Sequence, residues 1–400
     1  MNRRTLVRGI QTIVALTLIT FAVLTWRQVQ SQEEGFLAGL AGIQPVWLVV
    51  ATLLALQEGV CGGLRMFVLG RVLCPQLTVR TAVASEFVLM FVAGVTPGQL
   101  GAPVAQVATL VEGGMPLADI ATAELLTAFC TILFFLASAT GLLILRRTGS
   151  LVLPGAAQLD YLVAFSFLVF GACFVMLILS VVHPPLLKGV FRAGARVLGP
   201  LWHGLVAAMA RFKRLRPLTE KPFTRHGYLR DKLVSAVDRV HEGFKIYLRR
   251  GKLSVLTAFL LTIGFFWARF SAAFFILKGL GLSTTPNTFV TLGPSFVQVV
   301  VVQTMLNFAL YLSPTPGASG IAETTSTRLM SPWVRGVHEI PYLILWRLLT
   351  LFLCMFVGGT YVFRYLGTDV LERRAREAEA DENDAESASP EGASTHGADS

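Results

Sequence analysis

The sequence predicts an all-α polytopic membrane protein of six transmembrane helices plus two re-entrant helical hairpins, with eight full spans as the alternative. Three observations carry this. The 400 residues are 54% hydrophobic and only 14% charged, with a mean hydropathy of +0.64, far more apolar than a soluble domain of this size. Stretches near the roughly 20 apolar residues needed to cross a bilayer recur along the chain. A six-residue pattern is also written twice inside apolar sequence: Thr96-Pro97-Gly98-Gln99-Leu100-Gly101, and Thr315-Pro316-Gly317-Ala318-Ser319-Gly320.

Taken in order, Arg3, Arg4 and Arg8 precede an apolar run over 10–26 with no small-x-small cleavage site after it, which predicts an uncleaved first helix within a unit 1–45. A first membrane repeat, 46–182, holds spans at 46–69, 120–145 and 161–182, and a broken apolar block at 82–111. A second repeat, 253–366, holds spans at 253–277 and 342–363 and a broken block at 289–330. Pro removes a backbone donor and Gly weakens a helix, so a break at membrane depth is tolerated only where freed backbone groups face protein or a water-filled cavity. The legs after each break are too short to cross as straight helices, which predicts re-entrant hairpins broken at Thr96, Pro97, Gly98 and Gly101 and at Thr315, Pro316, Gly317 and Gly320.

Between the repeats, region 183–252 carries 16 Lys and Arg from Lys188 to Lys252 against Glu220, Asp231, Asp238 and Glu242. Such a segment predicts a cytoplasmic, interfacial linker touching anionic headgroups. Nucleic acid is excluded as a partner, because no aromatic–basic interleaving or recognition motif accompanies the charge. Residues 367–400 are acidic and rich in Ala, Ser and Gly, which predicts a disordered tail. Charge bias places the N-terminus inside; if both broken blocks return to their own side, the linker and the C-terminus are cytoplasmic too, with Arg146 and Arg147 as the exception. The two hairpins then enter from opposite sides, the pattern of an inverted repeat. The expected location is the inner (plasma) membrane.

Ionisable groups in the apolar segments are Glu58, Arg65, Glu86, Glu124, Arg269, Glu323, Arg328 and Arg347. Each costs about 2.5 to 3.5 kcal/mol at a helix centre unless partnered or cavity-facing. Arg65 either snorkels to the interface or grips a headgroup phosphate with its planar guanidinium. Glu124 and Glu86 suit fixed ion pairs or proton exchange. Glu323, three residues after Gly320, either caps the helix that follows the break or faces a cavity with Arg347. Gln99, Gln106, Gln298, Gln303, Thr304 and Asn307 serve as interhelical glue singly, and their concentration around the breaks points to a polar cavity. The expected substrate contacts are Arg65, Gln99, Glu124, Arg269, Gln303, Asn307, Glu323 and Arg347.

There is no Walker loop, GxSxG or HExxH, the six His are scattered, and Cys61, Cys74, Cys130, Cys173 and Cys354 show no metal-ligand spacing. The expectation is a protein without catalysis, cofactor or metal.

The chain resembles the lysylphosphatidylglycerol synthase transmembrane-region family, a flippase-like integral membrane domain. The resemblance rests on Gly63-Leu64-Arg65 through Val72-Leu73; on Val95-Thr96-Pro97-Gly98 with Gly101; on Phe244 through Arg250 leading into Phe266-Trp267; and on Pro314-Thr315-Pro316-Gly317 with Gly320, Glu323 and Arg347. In the first half the family's Gly-Glu and following Arg are replaced by Gly101-Ala102-Pro103-Val104, and Leu125 follows Glu124 where relatives carry an Arg. The resemblance implies lipid movement or handling without synthesis of an aminoacyl lipid, since the family's soluble transferring domain is not in this sequence. The leading expectation is flippase-type transport of a polar-headgroup lipid, phospholipid or glycolipid, through a cavity between the hairpins. The alternative is a non-transporting lipid-binding or accessory protein regulating envelope lipid or cell-wall synthesis.

Overall fold

The computed structural model describes residues 40, 42–99, 101–148, 156–182, 241–282, 295–311, 313 and 315–363. The expected first span at 10–26, most of the basic linker and the acidic tail lie outside these residues. Among the described residues every regular element is a helix. Four helices are long and apolar enough to cross a membrane: Pro45–Leu73, Leu117–Leu145, Lys252–Gly279 and Gly336–Phe363. They coincide with four of the six expected spans, and the chain is a multi-pass membrane protein. The expected span at 161–182 falls in a helix whose apolar described stretch is shorter, Phe167–Leu179.

Helix α1 (Pro45–Leu73) opens on a Pro in its first turn, where φ is pre-set and the missing donor has no intrahelical partner anyway. Its 29 residues reach about 43 Å at 1.5 Å per residue. A short turn leads to α2 (Val79–Val95), whose N-cap Thr78 accepts from the Thr81 amide at 3.2 Å. After the first break, α3 (Ala102–Glu112) returns towards the start of α2. A Cβ at Gly113 would meet the Thr81 side chain at 2.4 Å, and Gln76 Nε2 donates to the Gly114 carbonyl at 3.2 Å, so both ends of this hairpin lie together. With 11 residues, α3 reaches only about 16 Å, roughly half of a ~30 Å hydrocarbon core.

The long α4 (Leu117–Arg147) is packed by α5 (Ala156–Val182) through Phe129 on Phe174 and Phe135 on Phe170. A helical segment, α6 (241–250), buries Phe244 and Tyr247 against the first half, and the Tyr247 hydroxyl donates to the Leu69 carbonyl. Then α7 (Lys252–Gly279) runs antiparallel along α1. Gln44, just before α1, and Glu58, Cys61 and Arg65 of α1 face Gly279, Arg269, Gly264 and Thr262 of α7 in turn.

The second hairpin consists of α8 (Phe296–Tyr311), the second break and α9 (Ile321–Met330), with α8 and α9 packed together. The last helix, α10, starts at Glu339, passes through a π-helical segment at Leu348–Phe352 and continues to residue 363. The largest core cluster joins both halves through aromatic rings: Phe134 stacks on Phe266 at 4.5 Å and Phe135 meets Phe308 at 5.3 Å. Large apolar side chains such as Leu253, Val104 and Phe356 are exposed on the outside, where a hydrocarbon surround removes any cost of exposure.

Candidate functional site

Both breaks fold the same way, and the reason is local. Thr96 and Thr315 precede Pro, which bars the helical conformation, and both are extended (φ −109°, ψ 139° and φ −84°, ψ 151°). The Gly that follows takes the left-handed region in each, φ 57°, ψ 19° at Gly98 and φ 56°, ψ 18° at Gly317. The next residue is left-handed as well although it is not Gly: Gln99 at φ 60° and Ala318 at φ 55°. Two consecutive left-handed residues reverse the chain, and each tip closes on its Thr: the Gln99 amide donates to the Thr96 carbonyl at 3.2 Å and the Ala318 amide to the Thr315 carbonyl at 3.0 Å.

The tips touch each other. A Cβ on Gly317 would lie 3.4 Å from the Gly94 carbonyl oxygen. Beside this meeting point is a cavity of about 180 Å³, walled by Glu86, Gly94 and Gln99 from the first hairpin and by Asn307, Tyr311, Gly317 and Ala318 from the second. Spanning helices supply Glu58 (α1), Phe265 and Arg269 (α7), and Trp346, Arg347, Thr350 and Cys354 (α10). The π-helical segment of α10 begins directly after Arg347, so the wider turn lies at the cavity wall; such segments are frequent at functional sites.

The eight expected contact residues divide into two groups. Gln99, Arg269, Asn307 and Arg347 line the cavity, and Gln303 lines a side pocket of about 10 Å³ that shares Arg269 and Asn307 with it. Arg65, Glu124 and Glu323 do not line it. Arg65 instead donates to the hydroxyls of Thr131 and Thr262 at 3.3 and 3.4 Å, with its guanidinium 5.3 Å from the Phe265 ring centroid. Glu323 is fully buried behind Arg347. Gln303 Nε2 donates to the Tyr342 hydroxyl at 3.1 Å.

The guanidinia at the wall are already engaged. Arg269 is paired with Glu58. Arg347 donates from Nε to Glu323 Oε1 at 2.6 Å, from Nη1 to the Gly317 carbonyl at 3.1 Å and from Nη2 to the Ala318 carbonyl at 3.4 Å. Glu323 in turn accepts from the Gly320 amide at 2.6 Å, so capping and pairing with Arg347 coexist in one carboxylate. The first break has no such clamp: its Gly101 amide donates to Thr96 Oγ1 at 3.3 Å, and Val104 stands where Glu323 stands in the second.

Two residues of the cavity wall keep an unpaired polar atom, one an acceptor and one a donor. Glu58 Oε2 and Asn307 Nδ2 are buried and have no hydrogen-bond partner among the described residues. Arg269, with its side chain 32% exposed, adds a partly open cationic face. Glu86 offers a carboxylate that receives only Gln106 Nε2, at 3.3 Å. Glu58 and Glu86 were legible as charges inside apolar segments, but their place at the wall follows from the packing of α1 on α7 and α2.

A search of the curated proteins returns no match. The family model described as lysylphosphatidylglycerol synthase TM region matches residues 12–358, most of the chain and both hairpins. The chain belongs to the lysylphosphatidylglycerol synthase transmembrane-region family.

Proposed function

We propose that this protein is a flippase-type transporter that moves a polar-headgroup lipid between the leaflets of the inner membrane, without catalysing a reaction on it. The observation that carries this reading is the cavity at the meeting point of two broken helical hairpins, with charged and amide side chains in its wall inside a bundle of apolar helices. A cavity of about 180 Å³ walled by Glu58, Glu86, Arg269 and Asn307 takes the polar headgroup, while the acyl chains stay in the bilayer.

The membership of the family supports a lipid-related role in the membrane. Re-entry is supported by the meeting ends of the first hairpin, and an inverted repeat by the matched backbone of the two breaks. With Arg269 and Arg347 engaged, the open valences favour a headgroup offering both hydrogen-bond donors and acceptors: its donors reach Glu58 Oε2 and Glu86, its acceptors Asn307 Nδ2 and the free face of Arg269. Cytoplasmic termini and a cytoplasmic linker touching anionic headgroups complete the reading, on the positive-inside bias of Arg3, Arg4, Arg8 and the basic region.

A leaflet-sidedness assay tests it. The full chain is reconstituted in liposomes carrying a trace of fluorescent phosphatidylglycerol, phosphatidylethanolamine or a glycolipid, and inner-leaflet probe is scored by its protection from an impermeant quencher. Accelerated loss of protection with at least one lipid is expected, and Asn307→Leu should remove it. Rates equal to those of empty vesicles for every lipid would overturn the proposal.

A further inference from the structure

Among the described residues, the interior beside the cavity holds more carboxyls than cations: Glu58, Glu86 and Glu124 against Arg65 and Arg269. Glu58, Glu86 and Glu124 interact electrostatically with one another or with Arg65, and Glu58 also with Arg269. Arg269 is taken by Glu58, which leaves Glu86 and Glu124 with Arg65 alone. The Glu323–Arg347 pair is closed on itself.

Arg65 is a buried cation that stands outside both of these ion pairs. It is 7% exposed; Nη1 bonds only hydroxyls, Nε has no hydrogen-bond partner, and no carboxylate among the described residues lies within ion-pair distance of it. Glu86 presses against the α1 backbone, where a Cβ at Gly62 would sit 2.4 Å from its Oε1, one turn before Arg65. On α4, two turns before the Thr131 that Arg65 bonds, Glu124 presents a buried Oε1 without a partner, and Thr127 between them has an unpartnered buried hydroxyl. Further titratable groups facing Glu86 are Glu58 of α1, Tyr311 of α8 and Cys354 of α10. The α6 segment, packed on α4 at Thr122, brings His241 and Tyr247 towards the end of α4 that carries Glu124.

From this placement we infer that Glu86, Arg65 and Glu124 form one proton-binding unit, in which two carboxyls share a single guanidinium and one proton, exchanged with the cavity through Glu86. The charge balance gives the physical reason. With one proton, the three carboxyls and two guanidinia of the cluster sum to zero; without it, a carboxylate stays uncompensated in the interior, a state that costs several kcal/mol. The proton belongs to the pair of carboxyls, which titrate together rather than as separate residues. Because Glu86 also lines the cavity, headgroup occupancy and proton occupancy are linked. The inference takes its cavity from the transport reading, but its test involves no movement of lipid, so the two can fail separately.

Infrared spectroscopy of the full chain at pH 7, in nanodiscs of a diether phosphatidylcholine that carries no ester carbonyl, reads the proton directly. A carbonyl stretch of a protonated carboxylic acid is expected, shifting within minutes of transfer to D2O. It should vanish in both Glu86→Gln and Glu124→Gln, since the remaining carboxylate then has Arg65 to itself, and persist in Glu242→Gln, an exposed carboxylate on α6. Arg65→Met should double it. Size exclusion and thermal unfolding identify any variant that fails to fold, and the wild-type band stands without them. Absence of the band in folded wild type, its survival in either single variant, or its failure to shift in D2O would each overturn the inference.

Discussion

Arg347 on α10 donates its Nε to Glu323 on α9 at 2.6 Å, while its two remaining nitrogens hold the Gly317 and Ala318 carbonyls and the Glu323 carboxylate holds the Gly320 amide. One planar cation and one carboxylate, paired with each other, thus satisfy three backbone groups at the second break. Removing either partner leaves a buried charge without its counter-ion, a loss of about 3 to 5 kcal/mol. Glu323→Gln and Arg347→Met should therefore each lower the thermal unfolding midpoint sharply in detergent, with the double variant losing less than the sum. Arg347→Lys should not restore stability, because a point charge cannot reproduce the three-way fork.

The two breaks share a backbone but not a clamp, so their exchange behaviour should differ. The Gly320 amide donates to a carboxylate at 2.6 Å, the Gly101 amide to a hydroxyl at 3.3 Å. Hydrogen exchange with mass spectrometry should show the peptide over Gly98–Gly101 exchanging at least several-fold faster than that over Gly317–Gly320. Equal protection would mean that the Arg347–Glu323 clamp does not rigidify its tip.

Backbone conformation at the tips makes a second pair of substitutions informative. A left-handed conformation costs an L-residue about 1 to 2 kcal/mol, and a Cβ at Gly317 would also sit 3.3 Å from Leu351 Cδ2. Gly98→Ala and Gly317→Ala should each lower stability by about that amount, and Gly317→Leu should also abolish lipid movement in the vesicle assay, since the added bulk enters the cavity wall.

Close helix approach gives a steric prediction with an internal control. A Cβ at Gly358 of α10 would lie 2.0 Å from the Phe87 carbonyl oxygen of α2, a backbone atom that cannot swing aside. Gly358→Ala should cost at least 1 to 3 kcal/mol, about the range for overpacking. At Gly141 and Gly171 nothing lies within 4 Å of the added carbon. Ala there should be neutral or stabilising, by up to about 1 kcal/mol from helix propensity. Equal effects at the three sites, measured by thermal unfolding, would remove packing as the explanation.

The α6 segment is pinned by the Tyr247 hydroxyl on the Leu69 carbonyl. Burial, and then the nearby Asp119 carboxylate, hold this phenol protonated above its ordinary range. In the unfolded chain it ionises near pH 10 while the folded state keeps its proton, so its contribution is complete below about pH 10 and falls as pH rises. Wild type should thus lose more stability between pH 9 and 11 than Tyr247→Phe, which should itself cost about 0.5 to 1.5 kcal/mol at pH 7 for the lost hydrogen bond. A pH profile parallel to the wild type would place the alkaline loss elsewhere.

Four of the six expected spans and both breaks were legible in the sequence because their causes are local. A run of apolar residues is helical and membrane-spanning wherever it sits, Thr-Pro-Gly cannot continue a helix, and a Glu three residues after Gly320 reaches back to its amide within one turn. The choice of partners was not legible. Arg65 and Glu58 share a face of α1, yet Glu58 pairs with Arg269, 211 positions away, and Arg65 is turned to Thr131 and Thr262. Which cation meets which carboxylate is set by the antiparallel register of α1 against α7 and by the close approach of α1 to α2 at Gly62, and both depend on how side chains interlock across helices. The sequence by itself thus determined where helices run and where they break, through local backbone chemistry; only the tertiary structure decided that the tips meet around a cavity, that Arg269 and Arg347 are engaged at its wall, and that Arg65 meets hydroxyls rather than a carboxylate, because long-range packing chooses among charges that local chemistry leaves equivalent.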